Sequence, residues 1–171
     1  MRKGRYAVLI LFLGLLTGFS AAASVRDDIE ALYRPEGMRQ PAPKAPLARW
    51  YRLSNGQQVD VTQWKVVLFM QGSCGYCQRF DPILKDIAQK TGLAVFPYTI
   101  DGQGDAAFPH ALPAPPDVMR TFFPALPIAT PTTFLVNVNT LAAWPLLQGA
   151  ADEQGFLARL DRLFQSIEAV K

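Results

Sequence analysis

A chain of 171 residues, half of them hydrophobic, is long enough for one domain whose core needs no crosslinks. Its formal charge of +3 comes from 17 basic and 14 acidic residues, and three of the basic ones, Arg2, Lys3 and Arg5, stand at the very start. The rest of the chain carries 14 of each sign and no basic run to track a phosphate backbone, which argues against nucleic-acid binding.

The basic start is followed by an apolar stretch, residues 6–16, and then by Ala21, Ala22 and Ala23 ahead of Ser24. Basic, apolar and small-residue regions in that order predict a signal peptide over residues 1–23 and export to the periplasm. The apolar run is shorter than the roughly 20 residues of a bilayer crossing, so no stable membrane insertion is expected after cleavage. Residues 24–33 read as a helix, with Ser24 as cap, Asp27 and Asp28 in the first turn, and Ile29, Leu32 and Tyr33 on one face. Pro35, Pro41, Pro43 and Pro46 break that pattern, and residues 34–48 read as an extended tether. A helix and Pro-rich linker over 24–48 thus precede a domain over 49–171.

That domain opens with two short runs joined by Asn55-Gly56, which predicts a β-hairpin with a type I′ turn. "KVVLFMQ" is continuously apolar and suits a strand buried on both faces. From Gly75 to Thr91, Phe80, Ile83, Leu84, Ile87 and Ala88 recur at helical spacing, Gly92 ends the run, and Pro82 is expected to kink it or remove a hydrogen bond. "LAVFPYTI" reads as a second strand with an irregularity at Pro97. A Gly- and Pro-rich insertion follows over 101–117, then a short helix over 117–123. "TTFLVNV" after Pro131 and "LAAWPLLQG" supply two more strands. Asp152 caps a last helix that buries Phe156, Leu157, Leu160, Leu163, Phe164 and Ile167. Hairpin, β, α, β, α, β, β, α is an α/β order, and it implies a mixed β-sheet flanked by helices.

Only two cysteines occur, Cys74 and Cys77, in "GSCGYCQ". As a staple they would close a loop of about four residues, which restrains the unfolded chain little. As zinc ligands they lack partners, because His110 is the sole histidine and no second cysteine pair exists, so no metal is expected. A redox role uses the whole stretch. Cys74 follows a buried strand where a helix begins, so free amides and the helix dipole favour its thiolate. Cys77, one turn further in, would be the buried resolving thiol that displaces substrate from the mixed disulfide. Gly75 is expected to allow close packing at the turn, and Tyr76 to present its ring beside the sulfurs. The redox-active pair Cys74–Cys77 makes a further cofactor unnecessary. A second motif, Thr130-Pro131, stands directly before a strand, where a cis bond would leave neighbouring backbone groups free to pair with an extended substrate.

With CxxC at a strand-to-helix junction and Thr-Pro before a later strand, residues 49–168 resemble the thioredoxin superfamily. Within it, "WKVVLFMQG", "DGQGDAAFP", "PPDVM", "TFFP", "ATPTTFLVNVNTL" and "PLLQGA" resemble the thiol-disulfide isomerases of F-type conjugative transfer systems. The resemblance implies a periplasmic enzyme that corrects disulfides in exported proteins of a conjugative pilus and its type IV secretion channel. It also implies a membrane thiol reductant of the DsbD type as a partner. Cys-Gly-Tyr-Cys with Thr130 before the proline is similar to isomerases of the DsbC type, whereas DsbA-type oxidants carry Pro-His between the cysteines. This favours isomerase or reductase over oxidase.

The chain departs from thioredoxin at three places. Ser73 replaces the tryptophan before the first cysteine, Leu68 the buried aspartate, and Pro97 the lysine near it. The site is therefore expected to lack a buried proton relay, leaving Cys77 to water or the substrate thiol. A dedicated disulfide reductase or oxidase is the rival of the same chemistry. A non-catalytic pilus-assembly factor that holds substrate in the Thr130-Pro131 groove is the rival of another class. His110 reads as a surface residue, "DGQGD" at 101–105 as a turn, and Trp50, Trp64 and Trp144 as core or rim packing.

Overall fold

The run "WKVVLFM" forms the middle strand of the sheet, β3 (Trp64–Met70), and side chains on both of its faces are buried. The computed structural model describes residues 47–169, so the expected signal peptide, N-terminal helix and nearly all of the linker lie outside the described residues. Around β3 run β4 (Ala94–Thr99), β5 (Leu112–Pro113), β6 (Thr132–Asn137) and β7 (Ala143–Gln148), in the order β5-β4-β3-β6-β7. β4 is parallel to both β3 and β5, while β6 runs antiparallel to both β3 and β7. The helices are α1 (Gly75–Thr91), α2 (Pro116–Phe122) and α3 (Glu153–Glu168). The fold is thus thioredoxin-like, a mixed sheet flanked by helices with an N-terminal hairpin.

The period of a strand divides β3 between two cores. Val66, Leu68 and Met70 meet Phe80, Leu84 and Ile87 of α1 and Phe156, Leu160, Phe164 and Ile167 of α3. Val67 and Phe69 face the other way, to Phe123 and Phe134, with Val118, Met119 and Phe122 packed alongside. Phe69 is the hub there, with ring centroids of Tyr98, Phe122, Phe123 and Phe134 at 5.5, 5.2, 4.9 and 5.8 Å. Each such buried side chain stabilises the fold by about 1.5–3 kcal/mol.

The N-terminal hairpin is a sheet of its own, β1 (Trp50–Arg52) with β2 (Gln58–Asp60). Its turn differs from expectation. Gly56 N–H donates to the Leu53 carbonyl at 3.0 Å, Leu53 N–H donates to Gln57, and Gly56 alone takes a positive φ, +89°. A type I′ turn would need Asn55 in that region as well; the loop is instead a type I turn closed by a left-handed glycine. Leu53, Val59 and Val61 bring the hairpin into the α1–α3 core, and Ser54 donates from its amide and hydroxyl to Asp161 of α3 at 2.7 and 2.6 Å.

Other differences follow from neighbours. The 101–117 insertion contributes β5, which pairs only with Tyr98 and Thr99, so Pro97 sits on a strand scarcely covered at its outer edge, where proline is tolerated. As expected, Pro82 has no N–H and leaves one helical hydrogen bond unmade, but α1 runs on through it and ends at Gly92, whose φ is 76°. The last strand begins at Ala143, and Pro145 lies in β7 at the sheet edge. Trp64 is buried against Trp144 and Phe164, as expected, but Trp50 is 61% exposed and belongs to neither core. In α3, Asp152 accepts from Gly155 N–H at 2.8 Å, and Leu157 and Leu163 lie at the margin of the core.

Truncating Phe69 to alanine should cost about 3–5 kcal/mol in chemical denaturation, since it empties the hub of the smaller core. A loss below 1 kcal/mol would show that this second core contributes little.

Candidate active site

β3 delivers the chain to a four-residue loop, residues 71–74, and α1 starts at its end. Cys74 is the N-cap of α1, with extended backbone angles (φ −82°, ψ 113°), and its sulfur accepts the Cys77 amide at 3.3 Å. Serine or aspartate oxygen usually fills this position. The loop before it is held from the insertion. Asp101 accepts from the Gly72 amide (3.2 Å), the Ser73 amide (3.2 Å), the Ser73 hydroxyl (2.9 Å), the Thr99 hydroxyl (2.8 Å) and the Gln103 amide (3.1 Å). Desolvation pushes the Asp101 carboxyl up, but these bonds outweigh it and hold the group well below the usual carboxylate range. "DGQGD" is therefore a turn, as its composition suggested, and also a clamp on the active-site loop. Gly72 is required by that contact, because a Cβ there would lie 2.7 Å from the Gly104 carbonyl oxygen.

The two thiols, both free, meet different surroundings. Cys77 is fully buried in the α1–α3 core, whereas Cys74 is partly exposed. Burial acts to raise the Cys74 thiol. Contacts with the Cys77 thiol, the Thr130 side chain and the Cys77 and Tyr76 amides outweigh it, and the net shift is downward. Cys77 is pushed up to about 12, first by burial, then by its hydrogen bond with Cys74 and by the charge of Asp81. One helical turn thus separates an acidic thiol from a suppressed one.

Thr130-Pro131 is cis and lies against Cys74. The Cys74 thiol donates to the Thr130 carbonyl at 3.5 Å, and the Thr130 hydroxyl donates to Gln71 Oε1 at 2.9 Å. Pro131, at the start of β6, accepts the Gly149 amide through its carbonyl at 2.7 Å. The fold therefore brings Cys74, Cys77, Thr130 and Pro131 together from sequence positions 56 residues apart. Tyr76 is 62% exposed, with the Arg79 guanidinium 4.7 Å from its ring centroid. Gly75 does not have the packing role expected of it, since a Cβ there would meet nothing within 4 Å. His110 is exposed on the insertion.

Leu68 is buried and apolar, but a buried carboxyl is present elsewhere, on α1. Asp81 is 0% exposed, four residues after Cys77, and neither of its oxygens has a hydrogen-bond partner. Burial first, then the charge of Asp105, whose side chain approaches without closing a bond to either oxygen, pushes it up to about 8. Its signal in the sequence was an acid on the buried stripe of a helix, between Phe80 and Leu84.

A family model described as TraF, F plasmid transfer operon protein, matches residues 61–159. Protein TrbB of Escherichia coli (strain K12) is 60% identical over 166 residues, covering 91% of this chain and 92% of that protein. Among solved structures, a thio-disulfide isomerase from Thermus thermophilus is similar with a TM-score of 0.39 and 20% identity, over 65% of this chain and 88% of the other. A thioredoxin-like protein from Aeropyrum pernix is similar with a TM-score of 0.33 and 13% identity, over 70% and 89%.

Because the thiolate is the reactive form, the two cysteines should separate in alkylation of the reduced protein. Iodoacetamide should modify Cys74 with a midpoint below that of an ordinary thiol, and leave Cys77 unmodified until the pH approaches about 12. Peptide mapping across that range checks it; equal modification of the two would overturn the contrast.

Proposed function

The chain belongs to the family of F plasmid transfer operon proteins, and on that premise we propose that it is a periplasmic thiol-disulfide isomerase for exported proteins of a conjugative pilus and its type IV secretion system. The observation that carries this is a helix capped by the sulfur of Cys74, with the Thr130 carbonyl 3.5 Å from that sulfur. Cys74 holds a lowered thiol at the N-terminus of α1, against Thr130, while Cys77 stays buried one turn behind it.

In this reading the Cys74 thiolate attacks one sulfur of a mispaired cystine. A bond forms between Cys74 and that sulfur, the cystine bond breaks, and the partner sulfur leaves as a thiolate. The freed thiolate then breaks another disulfide of the same substrate. The thiolate so released, or a different free thiolate of the substrate directly, attacks the substrate sulfur held by Cys74, so that a new cystine forms and Cys74 leaves as thiolate. Either route leaves the enzyme reduced and the substrate rearranged. When rearrangement stalls, Cys77 attacks Cys74, releases the substrate reduced, and leaves a Cys74–Cys77 disulfide. A membrane thiol reductant of the DsbD type would restore the pair. Backbone groups beside Pro131 offer an extended substrate segment a place to pair, which favours flexible or misfolded chains. The basic, apolar and small-residue leader supports export, and Gly75-Tyr76 with Thr130 supports isomerisation over oxidation.

Substitution divides the labour. Cys77→Ser should accumulate mixed disulfides with exported partners through Cys74, visible as thiol-sensitive adducts on non-reducing gels. Cys74→Ser should accumulate almost none, because the remaining thiol is buried and titrates at about 12. Refolding of a scrambled multi-disulfide substrate should need Cys74 and depend less on Cys77. Equal trapping by both variants, or full refolding activity without Cys74, would sink the proposal.

A further inference from the structure

Among the described residues, the buried side-chain oxygens and nitrogens without a hydrogen-bond partner are the two of Asp81. An unpaired buried carboxyl destabilises a fold, and leucine or alanine would fill the same position on this apolar stripe without that penalty. Its place points to a use. Residues four apart on a helix share a face, with Cβ atoms about 5–6 Å apart, so Asp81 lies one turn from Cys77 on the buried side of α1. Cys77 must lose a proton to act, yet it is fully buried behind Cys74, where bulk water is a poor acceptor.

We propose that Asp81 is the proton acceptor for the Cys77 thiol when Cys77 resolves the mixed disulfide on Cys74. The inference rests on the thiol-disulfide reading above and adds to it the group that activates the second thiol. The Cys77 proton passes to the Asp81 carboxylate, directly or across one water molecule. The Cys77 thiolate attacks Cys74 Sγ and the Cys74–Cys77 bond forms. The bond from Cys74 to the substrate sulfur breaks, and that sulfur leaves with the electron pair. It takes up the proton from the Asp81 carboxylic acid, which returns to carboxylate. The substrate cystine gains two electrons and the cysteine pair loses them.

The surroundings tune Asp81 for this task. Asp105, from the insertion, acts on it by charge, as does Cys74 from the helix cap. Asp105 is itself fixed, since it accepts the Ala107 and Phe108 amides at 2.9 and 2.8 Å. Lys85, one turn beyond Asp81, is exposed, and its ammonium donates to the Ala107 carbonyl at 3.0 Å. An ordinary carboxyl would be too weak a base to take a proton from a buried thiol. At about 8, Asp81 exchanges its proton within the working range of pH.

The test is a single turnover of the reduced full-length protein with glutathione disulfide, acid-quenched and resolved by mass spectrometry from pH 5 to 10. The glutathione adduct on Cys74 should form and then decay, and its decay rate should rise through an inflection near pH 8. In Asp81→Asn the adduct should form at the wild-type rate but decay on the order of a hundredfold more slowly at pH 8, with the inflection gone. Asp105→Asn keeps an acceptor for the Ala107 and Phe108 amides while removing the charge, and should move the inflection to lower pH. Stability supplies a second readout. The folded value of Asp81 lies above the unfolded one, so its contribution is full below about pH 4 and is lost as pH rises through about 8. Asp81→Asn should therefore gain stability relative to wild type across that interval. Wild-type decay and inflection in the Asp81 variant, or an unmoved inflection in the Asp105 variant, would overturn the proposal. A wild-type protein that never forms the adduct would overturn the thiol-disulfide reading itself.

Discussion

A helix begins with amide hydrogens that have no helical acceptor, and in this chain a sulfur answers one of them. The Cys77 amide donates to Cys74 Sγ at 3.3 Å, so the bond that starts α1 also favours the Cys74 thiolate. An amide stabilises a thiolate more than a thiol, and the dipole of a 17-residue helix adds to it. The same preference makes Cys74 a good leaving group once it is bonded to another sulfur. Helix stability and thiol acidity share one contact.

That contact works only if the loop before the helix is held still. β3 reaches the loop with both faces buried, and Asp101 collects the amides of Gly72 and Ser73 from just past the end of the neighbouring strand β4. Gly72 and Gly104 permit the close approach, since a Cβ on either would collide with backbone oxygen. The Pro-rich insertion is thus a bracket behind the active site, and its second acid, Asp105, sets the charge beside the buried face of α1. Cys74 and Cys77 differ in acidity for geometric reasons: one sulfur faces amides at a helix end, the other an apolar core.

Much of this was legible in the residues. The apolar run of β3, the stripe of α3, the cap at Asp152 and the CxxC at a strand-to-helix junction are local patterns of period and chemistry. They held because packing agrees with them. Elements with weaker local signals were displaced. The hairpin turn closed as a type I turn with one left-handed glycine, and Trp50 remained exposed as the first residue of a three-residue strand too short to bury it. Gly75 looked like a packing glycine only because of the company it keeps in sequence.

Chain order and side-chain type by themselves determined the sheet's central strand, the helices that cover it and the placement of two sulfurs one turn apart at a helix start. These depend on neighbours one to four residues away, the range over which a backbone sets direction. The tertiary structure decided which groups surround those sulfurs. Asp101 reaches back to the loop from 28 and 29 residues away, Thr130 arrives from 56, and Asp81 becomes a buried carboxyl without a hydrogen-bond partner. Solvent exclusion is a property of the whole fold, so the acidity of a buried group cannot be read from its neighbours in sequence.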